Sequence, residues 1–193
     1  MRHHLHRMHE AVLRSAPIRP GDRILYVGCD RGAFTPAMAD QLARSSELVA
    51  VDFSQVPLQR VERLMAQVQR KNFLFFRLSQ PLIPFADEYF DLVIAYGSQH
   101  ALPRPDLVLD ELDRVLKPEG RLYWHDVDPT AHRPWTRLVN WLFFWRKRPA
   151  SAQTLSDVRR RMSRYFTIEF YRRWTHTWGR QSCLLVGRKP RVD

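Results

Sequence analysis

Four residues with useful chemistry follow two short apolar runs near the start of the chain. Gly28, Asp30 and Gly32 come after the first run, and Asp52 ends the second. A glycine-flanked turn that opens a helix presents free backbone N–H groups, and a carboxylate about 20 residues further on can accept both hydroxyls of a ribose. The pattern predicts a nucleoside-binding site.

The same turn argues against a nicotinamide dinucleotide. That cofactor would need glycine at positions 28, 30 and 33, whereas this chain has Asp30 and Ala33. The carboxylate of Asp30 would repel the pyrophosphate. An adenosine without phosphates therefore fits the sequence better.

The elements that must position these residues follow from the spacing of apolar side chains. Short apolar runs predict strands at 23–28, 48–51, 72–78, 89–95, 120–124, 167–171 and 182–187. Helical spacing of apolar residues predicts helices at 34–44, 56–70, 105–116 and 134–166.

Strands that alternate with helices of this length form right-handed βαβ units, so we expect an α/β fold with a doubly wound, mostly parallel sheet. The last two strands have no helix between them. They must therefore be antiparallel and form a C-terminal hairpin. Ligands of such sheets bind beyond the carboxyl ends of the strands, where the glycine turn and Asp52 lie.

Four motifs, in this order, carry a resemblance to a known family: ILYVGCDRG at 24–32, VD at 51–52, PFADEYFDLV at 84–93 and RVLKPEGRL at 114–122. Over roughly residues 18 to 128 the chain resembles the class I S-adenosylmethionine-dependent methyltransferases that act on small molecules. The resemblance implies a Rossmann-like methyltransferase fold with a seven-stranded sheet whose last strand is antiparallel. It also implies S-adenosylmethionine as the cofactor.

Carried onto this sequence, the family's cofactor contacts fall at nine positions. These are Tyr26, Gly28, Asp30, Gly32, Asp52, Phe53, Ser79, Gln80 and Tyr96. Three of them depart from the family, which usually has an acidic residue at 26, glycine at 30 and aspartate at 79. Asp30 could reach the cationic ammonium or sulfonium of the cofactor, and Ser79 or Gln80 can accept from the adenine amine. The alternative is a site that no longer binds cofactor.

Two histidines at strand carboxyl ends are the candidate catalytic residues. His100 matches a position where the family often has histidine, and His125 follows the fifth predicted strand. Either could remove a proton from the methyl acceptor, or serve only as a hydrogen-bonded loop residue. No metal site is predicted, because the histidines near the N-terminus lack the partners of a known ligand spacing.

The positive charge of the chain lies in its last third. Residues 129–193 hold 15 Lys and Arg against 3 Asp and Glu, whereas residues 1–128 hold 16 against 17. This asymmetry is typical of a surface that meets nucleic acid or an anionic membrane, although solvated arginines would look the same. The aromatic segment 135–145 could be a lid over the site, a membrane-surface helix or part of the core.

Together these features predict one methyltransferase-like domain over residues 1–193. It would comprise a cofactor-binding core at 18–128, a helical lid or substrate segment at 129–166 and a hairpin at 167–193. We expect a cytoplasmic location, since there are only two cysteines and no signal-like or membrane-spanning apolar stretch. The predicted function is methyl transfer to an unidentified small-molecule acceptor. The alternative is an inactive methyltransferase-like protein whose basic C-terminal third docks on nucleic acid or an anionic membrane.

Overall fold

A computed structural model of the chain describes residues 16, 18–28, 46–53, 66, 71–96, 105–128, 155–175 and 181–191. Within these ranges the strands are β1 (Arg23–Val27), β2 (Glu47–Asp52), β3 (Phe73–Arg77), β4 (Phe90–Tyr96), β5 (Leu116–Asp128), β6 (Thr167–Thr175) and β7 (Gln181–Arg188). The helices with defined bounds are α1 (Pro105–Val115) and α2 (Leu155–Met162).

The seven strands form one sheet in the order β3-β2-β1-β4-β5-β7-β6. Strands β1 to β5 pair in parallel, and β7 pairs antiparallel with both β5 and β6. The order reverses between β1 and β4, which is the topological switch point where open α/β sheets bind their ligands. The predicted fold class and C-terminal hairpin are confirmed.

Alternate residues of the central strands build two apolar layers, one on each side of the sheet. The layer we call the first face contains Ile24, Tyr26, Leu48 and Ala50. The second face contains the intervening residues of the same strands and the buried side chains of α1 and α2. Strands buried on both faces need continuous apolar runs, and such runs are why the central strands could be predicted from the sequence.

Two elements differ from the sequence prediction. Strand β5 is longer than predicted at both ends. It begins at Leu116, which pairs with Phe90 of β4, and its ladder with β7 continues as far as the pair Asp128 and Gln181. The predicted helix at 134–166 is helical over Leu155–Met162 within the described residues, and turns then lead to the buried Phe166. Residues 129–154, and nearly all of the predicted helices at 34–44 and 56–70, lie outside the described ranges.

A buried lysine fixes the end of α1 against the sheet. The Nζ of Lys189, just after β7, donates to the carbonyl of Asp113 at 2.6 Å and to that of Leu116 at 3.0 Å. The last carbonyls of a helix lack partners within it, and a cation there also complements the helix dipole. Across the described ranges, no helix is long and apolar enough to span a membrane.

Candidate functional site

A row of five residues crosses the parallel strands near their carboxyl ends. One of them, His125, was predicted to follow the fifth strand but lies within β5, three residues before its last residue Asp128, because the ladder with β7 continues past it. Asp52 of β2 pairs with Arg77 of β3, and Tyr96 of β4 pairs with His125 of β5. Gly28 lies between the two pairs, since the last residue of β1 pairs with the residues directly before Asp52 and Tyr96. We call these five positions the carboxyl row. The sheet thus brings together four of the residues predicted from the sequence.

Gly28 lies in the middle of the carboxyl row and contributes no side chain to it. Its φ is 93°, a left-handed conformation that favours glycine, and it has no side chain to separate Asp52 from Tyr96. Its N–H donates to the carbonyl of Val51 at 3.0 Å, and the N–H of Leu78 donates to the carbonyl of Asp52 at 2.8 Å. These bonds hold the ends of β1, β2 and β3 together.

The two ionisable side chains on either side of Gly28 are largely buried. Asp52 is 3% exposed and His125 is 2% exposed. Because strand side chains alternate, both lie on the first face with Arg77, whose neighbour Phe76 belongs to the second. A carboxylate and an imidazole therefore flank the glycine on one side of the sheet.

The other predicted contact residues lie outside the carboxyl row. Tyr26 lies two residues before Gly28, fully buried between Ala50 and Ile94 of the neighbouring strands. Phe53 is half-buried against the second-face layer, while Ser79 and Gln80 are exposed in the bend that follows β3. Asp30, Gly32 and His100 lie outside the described residues, as does the aromatic segment at 135–145.

Arg77 is a member of the row that the sequence interpretation missed. It is the last residue of β3, two positions before Ser79, and its side chain is exposed. The sequence signal that could have identified Arg77 is a basic residue at the end of an apolar run. Its pairing opposite Asp52 is known only from the structure.

Arg114 of α1 fixes the loop between β3 and β4 by hydrogen bonds. Its guanidinium donates to the carbonyls of Ile83 at 2.9 Å and Phe85 at 2.8 Å, and to Glu111 at 2.7 Å. Glu111 also accepts from the N–H of Ile83 at 2.9 Å. The Arg114 hydrogen bond lowers the pKa of Glu111 against the opposing effect of burial, and Glu111 in turn raises the pKa of Arg114.

The chemistry of the carboxyl row suits a nucleoside on one side and proton transfer on the other. A buried carboxylate beside a glycine can accept ribose hydroxyls, and the imidazole of His125 in β5 can accept a proton. Among the residues that the structure describes, no cluster of three or more His, Cys, Asp or Glu could hold a metal ion.

The fold and this row define a Rossmann-like α/β protein with a ligand site at the switch point of its sheet. The family described as "Methyltransferase domain" matches residues 25–124, which is half of the chain. The chain therefore belongs to this family of class I S-adenosylmethionine-dependent methyltransferases, and the resemblance carried by the four motifs is confirmed.

Individual relatives are more distant. The chain is 31% identical over 137 residues to a demethylmenaquinone methyltransferase of Symbiobacterium thermophilum, covering 70% of this chain and 53% of the relative. It is 31% identical over 121 residues to a ubiquinone/menaquinone biosynthesis C-methyltransferase of Ectopseudomonas mendocina, covering 61% and 47%. The chain thus spans about half the length of these curated relatives.

A solved structure supports the fold over nearly the whole chain. A putative methyltransferase from Bacillus halodurans C-125 superposes with a TM-score of 0.69 and 17% sequence identity, covering 95% of this chain and 99% of that one. At that identity the likeness concerns the fold alone.

Proposed function

We propose that this chain binds S-adenosylmethionine at the carboxyl row and transfers its methyl group to a small-molecule acceptor. The observation that carries the proposal is the register of the row, in which Gly28 lies between Asp52 and the Tyr96–His125 pair. When bound, S-adenosylmethionine supplies an electrophilic methyl carbon on a sulfonium. The chain's own residues supply binding, alignment and proton removal.

The residues present fit the adenosine part of that cofactor. Asp52 accepts the two ribose hydroxyls, and its near-complete burial strengthens those bonds by excluding water. Gly28 has no Cβ, so the ligand can approach the backbone closely. Ser79 and Gln80, exposed in the bend after β3, are assigned to accept from the adenine amine. From the sequence we also assign Gly32 to the turn and the carboxylate of Asp30 to the cationic ammonium or sulfonium of the cofactor.

We assign the proton-accepting role to His125 at the other end of the row. It is the histidine that the described sheet places beside Tyr96 at the carboxyl edge. A positioned base of this kind contributes about 10² to 10⁴ in rate. His100 remains a predicted second candidate.

The names of the relatives suggest the class of acceptor. Both act by name in the biosynthesis or methylation of menaquinone-type rings, and one is named a C-methyltransferase. We therefore propose an electron-rich aromatic diol, a reduced quinone ring, as the acceptor. A new carbon–carbon bond forms at the ring, the sulfur–methyl bond breaks with its electron pair remaining on sulfur, and the ring proton passes to His125.

Methyl transfer to 1,4-dihydroxynaphthalene tests this proposal directly. Incubation of the full chain with tritiated S-adenosylmethionine should give a carbon-methylated product, and His125→Asn should lower the rate at least a hundredfold. Asp22→Asn, which changes a carboxylate at the opposite edge of the sheet, should keep the rate. Label that appears on oxygen, or a His125→Asn rate equal to the unmodified rate, would contradict the assigned acceptor atom or the assigned base.

A further inference from the structure

The outer edge of β6, the terminal strand of the sheet, has no strand paired with it among the described residues. Within those residues β6 pairs with β7 alone, and most of its nine residues are exposed. Phe170, in the middle of this strand, is 44% exposed. An exposed strand edge is a template for pairing with another extended chain, and proteins commonly protect such edges.

Arginines on β6 and on the preceding helix α2 lie over aromatic rings of this strand. The guanidinium carbon of Arg172 is 5.5 Å from the centroid of Trp174, and those of Arg159 and Arg173 are 5.2 Å and 6.0 Å from that of Tyr171. Within the described ranges no carboxylate forms an ion pair with these three arginines. The one carboxylate of β6, Glu169, instead accepts a hydrogen bond from Arg121 and forms an ion pair with Arg188. The middle of the edge is therefore cationic.

The charge of this edge restricts what can pair with it. A second copy of the chain would bring its own Arg172 and Arg173 against the same residues, and like charges opposite each other destabilise a strand pair. An acidic segment would place carboxylates against them. We propose that the open edge of β6 binds an extended acidic peptide segment of a protein partner as an eighth strand.

The side-chain directions favour a peptide strand over a membrane. Trp174 packs on the first-face layer and Tyr171 on the second, so the aromatic and basic groups project to both sides of the sheet. A membrane surface needs such groups on one side. An added strand meets both sides, because its own side chains alternate in the same way.

The ring contacts favour a peptide over single-stranded nucleic acid. Binding of single strands relies on open aromatic faces on which successive bases stack. Here guanidinium groups lie over the rings of Trp174 and Tyr171. Those guanidinium groups can instead donate to carboxylates of an adjacent strand.

The test uses a fluorescein-labelled nine-residue peptide of alternating glutamate and valine, with capped ends, titrated into the full chain and followed by anisotropy. Saturable binding is expected, and the double variant Arg172→Gln with Arg173→Gln should weaken it at least tenfold. Arg19→Gln with Arg191→Gln is the matched control, since it removes the same charge near the amino ends of the parallel strands. The control should leave the affinity within about twofold of the unmodified chain.

A second peptide separates strand pairing from simple charge attraction. The same sequence N-methylated at every amide keeps every carboxylate but has no N–H on either edge to donate to a ladder, so its binding should be lost. Binding of the unmodified peptide should also protect the amides of Phe170 to Trp174 from hydrogen exchange. Equal binding of the two peptides, or no binding of the first, would overturn the proposal. It would also be overturned if oligouridylate or phosphatidylglycerol vesicles bound at least tenfold more tightly with the same arginine dependence.

Discussion

At the scale of single residues, Glu111 shows how one carboxylate couples a helix to the loop beside the site. It joins Arg114 on its own helix to the backbone of Ile83, and its side chain is mostly buried. A hydrogen bond to a charged group in such a setting contributes about 1.5–3 kcal/mol. The loop from Ile83 to Phe85 therefore depends on an ion pair for its position.

We expect Glu111→Gln to lower the free energy of unfolding at neutral pH by about 1–3 kcal/mol. Because the folded pKa of Glu111 is lowered, its contribution is complete above the unfolded value of about 4.3 and is lost as pH falls through the folded pKa. Urea unfolding between pH 3 and 7 should show the two proteins converging at the acid end. Glu88→Gln, at an exposed glutamate of the same loop region, is the control. A stability gap that stayed constant with pH would contradict this account.

Residues at strand ends could be predicted, whereas their partners across the sheet could not. Asp52 was predicted because it closes a buried apolar run, a property of adjacent residues. Arg77 and the depth of Tyr26 depend on strand register. Register is decided by contacts between residues distant in the sequence, so a single sequence does not reveal it.

At the scale of elements, Gly187 sets how closely the turn after α2 approaches the sheet. A Cβ at this position of β7 would lie 2.7 Å from the Cβ of Phe166 and 3.5 Å from the terminal carbon of Met162. Both of those side chains are buried in the second-face layer. Without a side chain, the glycine lets Phe166 lie directly against the strand.

Gly187→Ala should destabilise the protein by about 1–3 kcal/mol, since the added methyl group overpacks a filled layer. Equilibrium urea unfolding measures this loss. Gly21→Ala is a useful comparison, because Gly21 has open space around it but a φ of 87°. Backbone strain alone should cost it about 1–2 kcal/mol. If Gly187→Ala proved as stable as the unmodified protein, the close approach of Phe166 would not be a constraint.

Element types were predicted better than element limits. Helix α1 was read from its apolar spacing at 105–116 and spans Pro105–Val115. Strand β5 was predicted too short at its carboxyl end because its ladder with β7 continues through the polar residues His125 and Asp126 to Asp128. A strand can continue by hydrogen bonding through residues that give no apolar signal.

At the scale of the whole molecule, the candidate cofactor site and the arginines of β6 lie in different parts of the sheet. The carboxyl row lies at the switch point between β1 and β4, whereas the arginines over Trp174 and Tyr171 lie at the end of the strand order, on and beside β6. Residues 129–193 carry a net charge of +12, against −1 for residues 1–128. The two features can therefore be altered separately by substitution.

The alternation of strands and helices, together with the final hairpin, was sufficient to predict the sheet class. The number of strands and the antiparallel last strand came from the family resemblance carried by the four motifs, and the seven-stranded sheet with an antiparallel β7 agrees with that expectation. The order of the strands was not predicted, because apolar spacing alone does not state which strands are neighbours.

Isothermal titration of S-adenosylmethionine into the full chain tests the central claim most directly. We expect saturable binding, and Asp52→Asn should weaken it at least tenfold, because hydrogen bonds to a charged acceptor contribute about 1.5–3 kcal/mol. Asp22→Asn removes a carboxylate that accepts the N–H of Arg19 at 2.7 Å at the opposite edge, so it should leave the affinity unchanged. Circular dichroism confirms that each variant is folded. No binding by the unmodified chain, or equal affinity in Asp52→Asn, would contradict a cofactor site at the carboxyl row.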